Sequence, residues 1–347
     1  MISCNVLIAG GGLAGLSAAV HLARAGVEGV VVIERMPPER YGRYHRTCGE
    51  AVSDRMLRLS GIRADCTVRR IDRAVISCCG TDISVRVKGR IIDRERLLEA
   101  MRAESGAEIV GGSVISVRAD GDGYTAVTDS GEYRCRYLIG ADGAFSVVRK
   151  CIFGHGPEVR MAAVNNIVRA DGDPGTIRFT VRPEYKGLYS WDFPSKDGFR
   201  SVGYTLGDGD VADYEERGIR FIVTGSARTV VRDRCCIVGD AAFLANPLCY
   251  GGIGAALLSG RKAAEAIAGG DPGRYQAWAS RAPMLDRHYM DAYRTVRAWA
   301  PEDYRDAVVP FRGGSGLILL RGAYAMVRRP RWANLYMAIW MGFKFGW

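Results

Sequence analysis

A glycine-rich turn near the start of the chain, Gly10-Gly11-Gly12-Leu13-Ala14-Gly15, restricts the possible folds more than any other stretch. Before it stands Val6-Leu7-Ile8-Ala9, a continuous apolar run that suits a parallel strand covered on both faces. After it, Leu13 to Ala25 carries helical spacing, and Val30 to Ile33 reads as a second parallel strand. Gly10, Gly12 and Gly15 supply G-x-G-x-x-G. Gly10 permits the tight turn, Gly12 lets the backbone approach a pyrophosphate, and Gly15 lets helix and strand pack closely. The helix start offers free N–H groups and a positive dipole end to an anion. Glu34 closes the second strand 19 residues after Gly15, where a carboxylate accepts from ribose hydroxyls. Glycines alone serve many turns. With strand, helix and Glu34 in register, they specify a dinucleotide site.

Two later strand ends carry aspartates. Leu138-Ile139-Gly140-Ala141-Asp142-Gly143 is followed by Ser146 and Arg149, and alone would read as an ordinary Asp-Gly turn. Ile237-Val238-Gly239-Asp240-Ala241-Ala242 ends a third strand and leads through Asn246-Pro247 to Gly251-Gly252-Ile253-Gly254 and a new helix. Asp240 stands where it can accept from ribityl or ribose hydroxyls. The helix start at Gly252 and Ile253 can aim N–H groups at a flavin's pyrimidine oxygen, stabilising charge on the reduced ring.

Between these elements the pattern changes. Ala74–Ser77 and Ile83–Val87 read as strands, as does much of 156–228, with turns at Asp171-Gly172, Asp197-Gly198 and Asp208-Gly209. Helical spacing returns at Arg94–Glu104, where Leu97, Leu98 and Met101 share a face. Ser113–Arg118 and Tyr124–Thr128 form an antiparallel pair, Cys235–Val238 a strand, Gly252–Ala268 a helix, and the stretch from Pro283 is mostly helical. A length of 347 residues suggests about two domains, at roughly 150 residues each. The expected fold is α/β (α+β overall). It has a discontinuous Rossmann-like nucleotide domain (1–68, 92–155 and 229–282), an antiparallel β-sheet substrate domain (69–91 and 156–228) and a helical, basic segment (283–347).

Ten cysteines include the adjacent pairs Cys78-Cys79 and Cys235-Cys236, not C-x-x-C, and the four histidines are scattered, so no metal site is expected. Reduced thiols, the absence of a basic leader before the first strand, and no apolar run near the roughly 18 residues of a membrane span point to cytoplasmic residence. The net charge of +10 is uneven: after Asp306 there is no acid, while Arg312, Arg321, Arg328, Arg329, Arg331 and Lys344 are all basic. An anionic surface is therefore expected near that end. Nucleic acid would compete for it, but no nucleic-acid-binding motif is present.

Together the three nucleotide stretches resemble the flavoprotein group that includes para-hydroxybenzoate hydroxylase, in which counterparts of Asp142-Gly143 and Gly239-Asp240 are the second and third fingerprints. Arg94, heading its helix, matches a further family arginine near the flavin. Within that group the chain most resembles the geranylgeranyl reductases, particularly archaeal ones acting on digeranylgeranylglycerol lipids. Thr47-Cys48-Gly49-Glu50-Ala51-Val52-Ser53 resembles their Cys-Gly segment along the isoalloxazine. Tyr189-Ser190-Trp191-Asp192-Phe193-Pro194 resembles their Y-x-W-x-F-P motif.

The resemblance implies FAD as cofactor, held by Ala14, Glu34, Cys48, Gly49, Ala51, Arg94, Val114, Asp240, Gly252 and Ile253. It implies a polyprenyl lipid substrate against Tyr189, Trp191, Phe193 and Pro194. The chemistry implied is hydride delivery from reduced FAD to one carbon of an isolated C=C bond and protonation of the other, with Cys48 and then Tyr189 as candidate proton donors. Read as bare residues, Cys48 is a buried thiol and the aromatic alternation is plain core. NAD(P)H, ferredoxin and a deazaflavin all fit as electron donors, the second being a redox partner protein. Two other functions fit the same frame: an aromatic hydroxylase using NAD(P)H and oxygen, and a non-catalytic prenyl-lipid escort. For the lipid reading, Arg328, Arg329 and Arg331, followed by the aromatic run from Trp332 to Trp347, suggest a peripheral contact with an anionic membrane.

Overall fold

The computed structural model describes residues 1–205, 213–225, 229–312, 317–345 and 347, so the turn expected at Asp208-Gly209 lies outside the described residues. The chain begins with β1 (Ile2–Ala9), α1 (Leu13–Arg24), β2 (Val30–Glu34), α2 (Pro38–Arg46), β3 (Ala51–Ser53) and α3 (Asp54–Ser60). A long hairpin follows, β4 (Thr67–Cys78) and β5 (Thr81–Ile92), then α4 (Arg94–Ser105). Next come β6 (Glu108–Gly111), β7 (Val114–Asp120), β8 (Gly123–Thr128) and β9 (Gly131–Gly140). A run of five strands is formed by β10 (Val159–Arg169), β11 (Thr176–Val181), β12 (Tyr189–Pro194), β13 (Phe199–Thr205) and β14 (Glu216–Thr224). The short β15 (Val231–Arg232) and β16 (Cys235–Ile237) precede α5 (Ile253–Ala268) and α6 (Gly273–Ala279). Four helices close the chain: α7 (His288–Arg297), α8 (Pro301–Val308), α9 (Ile318–Arg328) and α10 (Ala333–Phe345).

The first sheet has the order β15-β16-β9-β1-β2-β6, with β8 beside β9 and β7 beside β8. The pairs β1–β2, β1–β9, β9–β16 and β2–β6 are parallel. Val6, Leu7 and Ile8 are fully buried, as an apolar run without alternation requires. Helices α1 and α5 cross at backbone distance: a Cβ on Gly260 would lie 2.2 Å from the Ala14 carbonyl oxygen. Both glycine-bearing strand ends therefore point at one edge of the sheet.

The second sheet, β14-β10-β13-β12-β11-β4-β5-β3, is antiparallel except for β11–β4. Cys78, Ile83 and Val181 from its β4–β5–β11 end pack with Tyr289 and Val296 of α7, Tyr304 and Val308 of α8, and Leu335 and Ala338 of α10. The mixed fold with two sheets and a helical C-terminal stretch is the one expected. Helix α2 was not, because Pro-Glu-Arg-Tyr-Gly-Arg-Tyr-His-Arg contains no aliphatic residue to mark a face. Nor was α3, a two-turn helix capped by Ser53, whose Oγ accepts from the Met56 N–H at 3.3 Å, and stopped by Gly61 at φ 70°.

The basic and aromatic tail departs most from expectation. Arg329 and Arg331 do not face outward as free charges: Asp306 accepts from Arg329 at 2.7 Å, from Arg331 at 2.6 Å and from the Trp332 indole at 2.9 Å. Trp332, Leu335 and Tyr336 are buried against Ala307, Phe311 and their neighbours. Hydrophobic burial, not an interface with lipid, accounts for these side chains.

Candidate functional site

The glycine turn has the geometry its spacing predicts. Gly10 sits at φ 104°, and a Cβ there would lie 2.4 Å from the Ala141 carbonyl oxygen. A Cβ on Gly15 would lie 1.9 Å from the Gly10 carbonyl oxygen, so strand and helix meet without side chains between them. The Glu34 carboxylate is buried and accepts from the Gly11 N–H at 2.7 Å and the Met36 N–H at 2.6 Å. Tyr41 donates its hydroxyl to the Gly11 carbonyl, pinning the turn from α2. Val114 begins β7 just after Gly112, whose N–H donates to the Glu34 carbonyl at 2.9 Å.

The two aspartate strand ends behave differently. Asp142 accepts from the Ser146 hydroxyl and from the N–H groups of Val147 (2.6 Å) and Val148 (3.1 Å), so much of its carboxylate is spent on its own loop. Arg149 then ties this loop to the third fingerprint, donating to the Ala241 carbonyl at 2.9 Å and the Ala144 carbonyl at 3.0 Å. Gly239 sits at φ 57° and donates its N–H to Ser259 at 3.0 Å, which leaves Asp240 facing the cavity. Burial pushes the Asp240 carboxyl up, against the pull of Arg220 and Arg94.

Those two arginines belong to a cationic pocket of which sequence reasoning found only Arg94. His45, buried near the end of α2, is held at about 2 by burial and then by the fields of Arg94, Arg220, Arg35 and Arg102. Arg220, from β14, stacks 3.8 Å from the Tyr44 ring centroid. The Nε of Arg94 and the Nε2 of His45 are buried with no hydrogen-bond partner. A Cβ on Gly12 would meet only the His45 ring, 3.3 Å from Cε1. Orphaned donors around an open glycine, in a positive field at a helix start, fit an anionic diphosphate. The diphosphate of FAD suits this cradle. His45 stands three residues before Cys48, a signal available in the sequence; Arg220 lies in no motif.

Cys48-Gly49 and the aromatic strand, far apart in sequence, are brought together. A Cβ on Gly49 would lie 2.6 Å from Phe193 Cδ2 and 3.4 Å from Trp191 Nε1. Trp191 Nε1 donates to Asn165 Oδ1 at 3.2 Å, and the same oxygen accepts from Ser201 at 2.7 Å. Gly203 makes room for the indole: a Cβ there would overlap it at 1.8 Å. The Tyr189 hydroxyl donates to the Cys249 carbonyl. Burial, then Cys249, Tyr250 and Cys48, push that hydroxyl well above its ordinary value. Both candidate proton donors thus share one site, but the Tyr189 proton is already engaged.

One cavity of about 630 Å³ joins all of this. It touches Gly10, Gly12, Ala14, Glu34, Cys48, Gly49, Ala51, Arg94, Val114, Asp142, Asp240, Gly252 and Ile253. Gly15 and Gly239 stand behind it as packing and turn residues. Tyr189, Trp191 and Phe193 line it, but Pro194 does not, because neighbouring strand residues face opposite sides of a sheet. From there it continues past Ile177, Phe179 and Val181 of β11 and under α7, α8, α9 and α10 as far as Phe311, Ile318 and Gly322. Among the described residues, no Asp, Glu, Lys or Arg from β11, β12 or these four helices lines it. Among the described residues, the charged side chains that line it, such as Glu34, Arg94, Arg220 and Asp240, lie at the nucleotide end.

The fold and this cradle place the chain among the FAD-dependent oxidoreductases. The FAD binding domain family matches residues 3–74 and 90–181. Digeranylgeranylglycerophospholipid reductase 2 of Methanothermobacter thermautotrophicus is 30% identical over 308 residues, covering 77% of this chain and 79% of that one. The chain belongs to the geranylgeranyl reductase family. Aklavinone 12-hydroxylase of Streptomyces purpurascens is 31% identical over 229 residues, 53% of this chain and 43% of that protein. A geranylgeranyl bacteriochlorophyll reductase-like structure from Thermoplasma acidophilum superposes with TM-score 0.79 at 19% identity, covering 97% of this chain and all of that one, a likeness of fold.

Proposed function

We propose that this enzyme saturates isolated C=C bonds in the polyprenyl chain of a membrane lipid. The uncharged length of cavity beyond Trp191, walled by alternate residues of β4, β5, β11 and β12 and by four helices, supports this reading most directly. When bound, FAD supplies the hydride. The chain's own residues do the rest. Gly10, Gly12, Arg94, Arg220 and His45 would hold the diphosphate, Glu34 the ribose, and Gly252 and Ile253 would present N–H groups to the ring. An unactivated alkene has no carbonyl to polarise, so rate depends on orientation, exclusion of water and one placed proton. Tyr189, Trp191 and Phe193 orient the chain, and Asn165 fixes the indole. Cys48 Sγ supplies the proton, while Tyr189, donating to Cys249 and raised by burial, acts as wall.

The division into nucleotide domain (1–68, 92–155 and 229–282), β domain and helical segment is part of the same proposal. So is the location, on the cytoplasmic face of a membrane without crossing it: among the described residues no helix is long and apolar enough to span. The hydroxylase relative supports a second reading, hydroxylation of an aromatic substrate with oxygen. The missing charged anchor beyond Trp191 speaks against it. The test is anaerobic: reduce the flavin with dithionite, add dispersed digeranylgeranylglycerol lipid, and follow reoxidation and product mass. Reoxidation with a gain of two mass units per bond is expected. No reoxidation, or oxygen-dependent gain of an oxygen atom instead, overturns the proposal.

A further inference from the structure

The helix that closes the far end of the cavity carries an unusual outer face. Leu317, Leu320, Tyr324 and Val327 are 73%, 65%, 60% and 80% exposed. Their spacing of three, four and three residues puts them on one side of α9 and its leading turn. The other side is inside: Ala325 is buried, Ile318 and Met326 pack on the Ala307–Phe311–Trp332–Tyr336 cluster, and Ile318 and Gly322 line the cavity. A single helix, roughly 10 Å across, therefore separates the end of the cavity from solvent.

The surroundings are cationic. Arg328 stands beside the stripe with its guanidinium 5.5 Å from the Tyr324 ring centroid, and Arg312, shortly before it in the sequence, is exposed. No acid follows Asp306, which is itself engaged by Arg329, Arg331 and Trp332. Scattered single apolar residues on a surface are ordinary, but four on one helical face, with Arg328 beside them, match an interfacial helix.

We propose that α9 is the seat of the enzyme on an anionic bilayer, its outer face sunk among the acyl chains and its basic residues against the headgroups. The far end of the cavity then lies one helix from the lipid that holds the substrate. The assignment rests on the polyprenyl-lipid reading for its purpose, though not for its surface. It moves the membrane contact from the tail after Arg328, where Arg329 and Arg331 are paired and Trp332, Leu335 and Tyr336 are buried, to the helix before it.

The test uses the FAD-loaded full chain and vesicles of phosphatidylglycerol or of phosphatidylcholine, at low and high salt. The intact protein should sediment with phosphatidylglycerol vesicles, less so at high salt and least with phosphatidylcholine. Leu320→Glu with Val327→Glu should weaken that binding by roughly tenfold or more, with unchanged flavin content and unchanged reoxidation by detergent-dispersed prenyl lipid. Arg328→Glu, a milder surface change, should weaken it by about the worth of a reversed headgroup contact, several-fold. Vesicle binding that is absent in the intact protein, or equal in the variants, overturns the proposal. A dimer in light scattering that the Leu320/Val327 variant converts to monomer, without vesicle binding, assigns the stripe to a second copy and also overturns it. Failed reoxidation with α9-dependent vesicle binding would sink the prenyl-lipid reading and leave the seat standing.

Discussion

Replacing His45 with Gln should flatten the acid sensitivity of the FAD-free protein. The imidazole is buried and faces Arg94 and Arg102 of α4, Arg220 of β14 and Arg35 after β2, with the Tyr41 and Tyr44 rings against it. Its pKa falls from 6.5 in the unfolded chain to about 2 in the folded one. Below 6.5 the unfolded chain binds a proton that the folded protein refuses. The stability this group contributes is therefore complete above 6.5 and declines as the pH falls from there toward 2. Each pH unit is worth about 1.4 kcal/mol, so at about pH 5 the loss from this residue is about 2 kcal/mol. Other groups titrate alike in both proteins, so the difference between wild type and His45→Gln isolates it. Urea unfolding at pH 7.5 and at pH 5 should show the wild type losing about 2 kcal/mol more than the variant. FAD should narrow the gap, because a diphosphate among the arginines offsets the field that keeps the ring neutral. Equal losses in the two proteins would refute the reasoning.

Gly12→Val should abolish FAD retention, since the added side chain fills the space between the turn and His45; normal flavin absorbance in the purified variant would displace the cofactor from this cradle. Gly49→Ala should cost about 1–3 kcal/mol in a thermal melt and lower turnover, because its Cβ presses the Phe193 ring out of the wall; unchanged melting and rate would show the wall to be soft. Cys48→Ala should keep FAD while flavin reoxidation by prenyl lipid slows by roughly 10²–10⁴-fold, the usual worth of one placed proton donor. Wild-type reoxidation in stopped flow would return Cys48 to the role of a packed thiol.

The nucleotide half was legible in the sequence because its signals are local. Val6–Ala9, the glycine turn and Glu34 lie within one βαβ stretch, and each residue's role follows from its neighbours. Tyr189, Trp191 and Phe193 could be put on one face by alternation alone, and the same alternation should have excluded Pro194. Other features depend on distant parts of the chain. Arg220 reaches the cradle only because β14 is folded back to the nucleotide end. No local pattern reports that Asp306, more than 20 residues earlier, pairs with Arg329 and Arg331. Nor could spacing reveal that α7 to α10 form the far wall of a cavity begun by β1.

That far wall has an evolutionary consequence. The nucleotide end of the cavity is built from backbone turns and crossing glycines, of which Gly10, Gly15 and Gly260 leave no room for a Cβ. The other end is measured by side chains such as Phe311 and Ile318, on helices outside either sheet. A lineage could lengthen, shorten or reshape the accepted chain by exchanging a few residues of those helices, with the redox apparatus untouched. Substrate range would then drift faster than chemistry, and relatives alike in their first 150 residues would differ chiefly in what they accept.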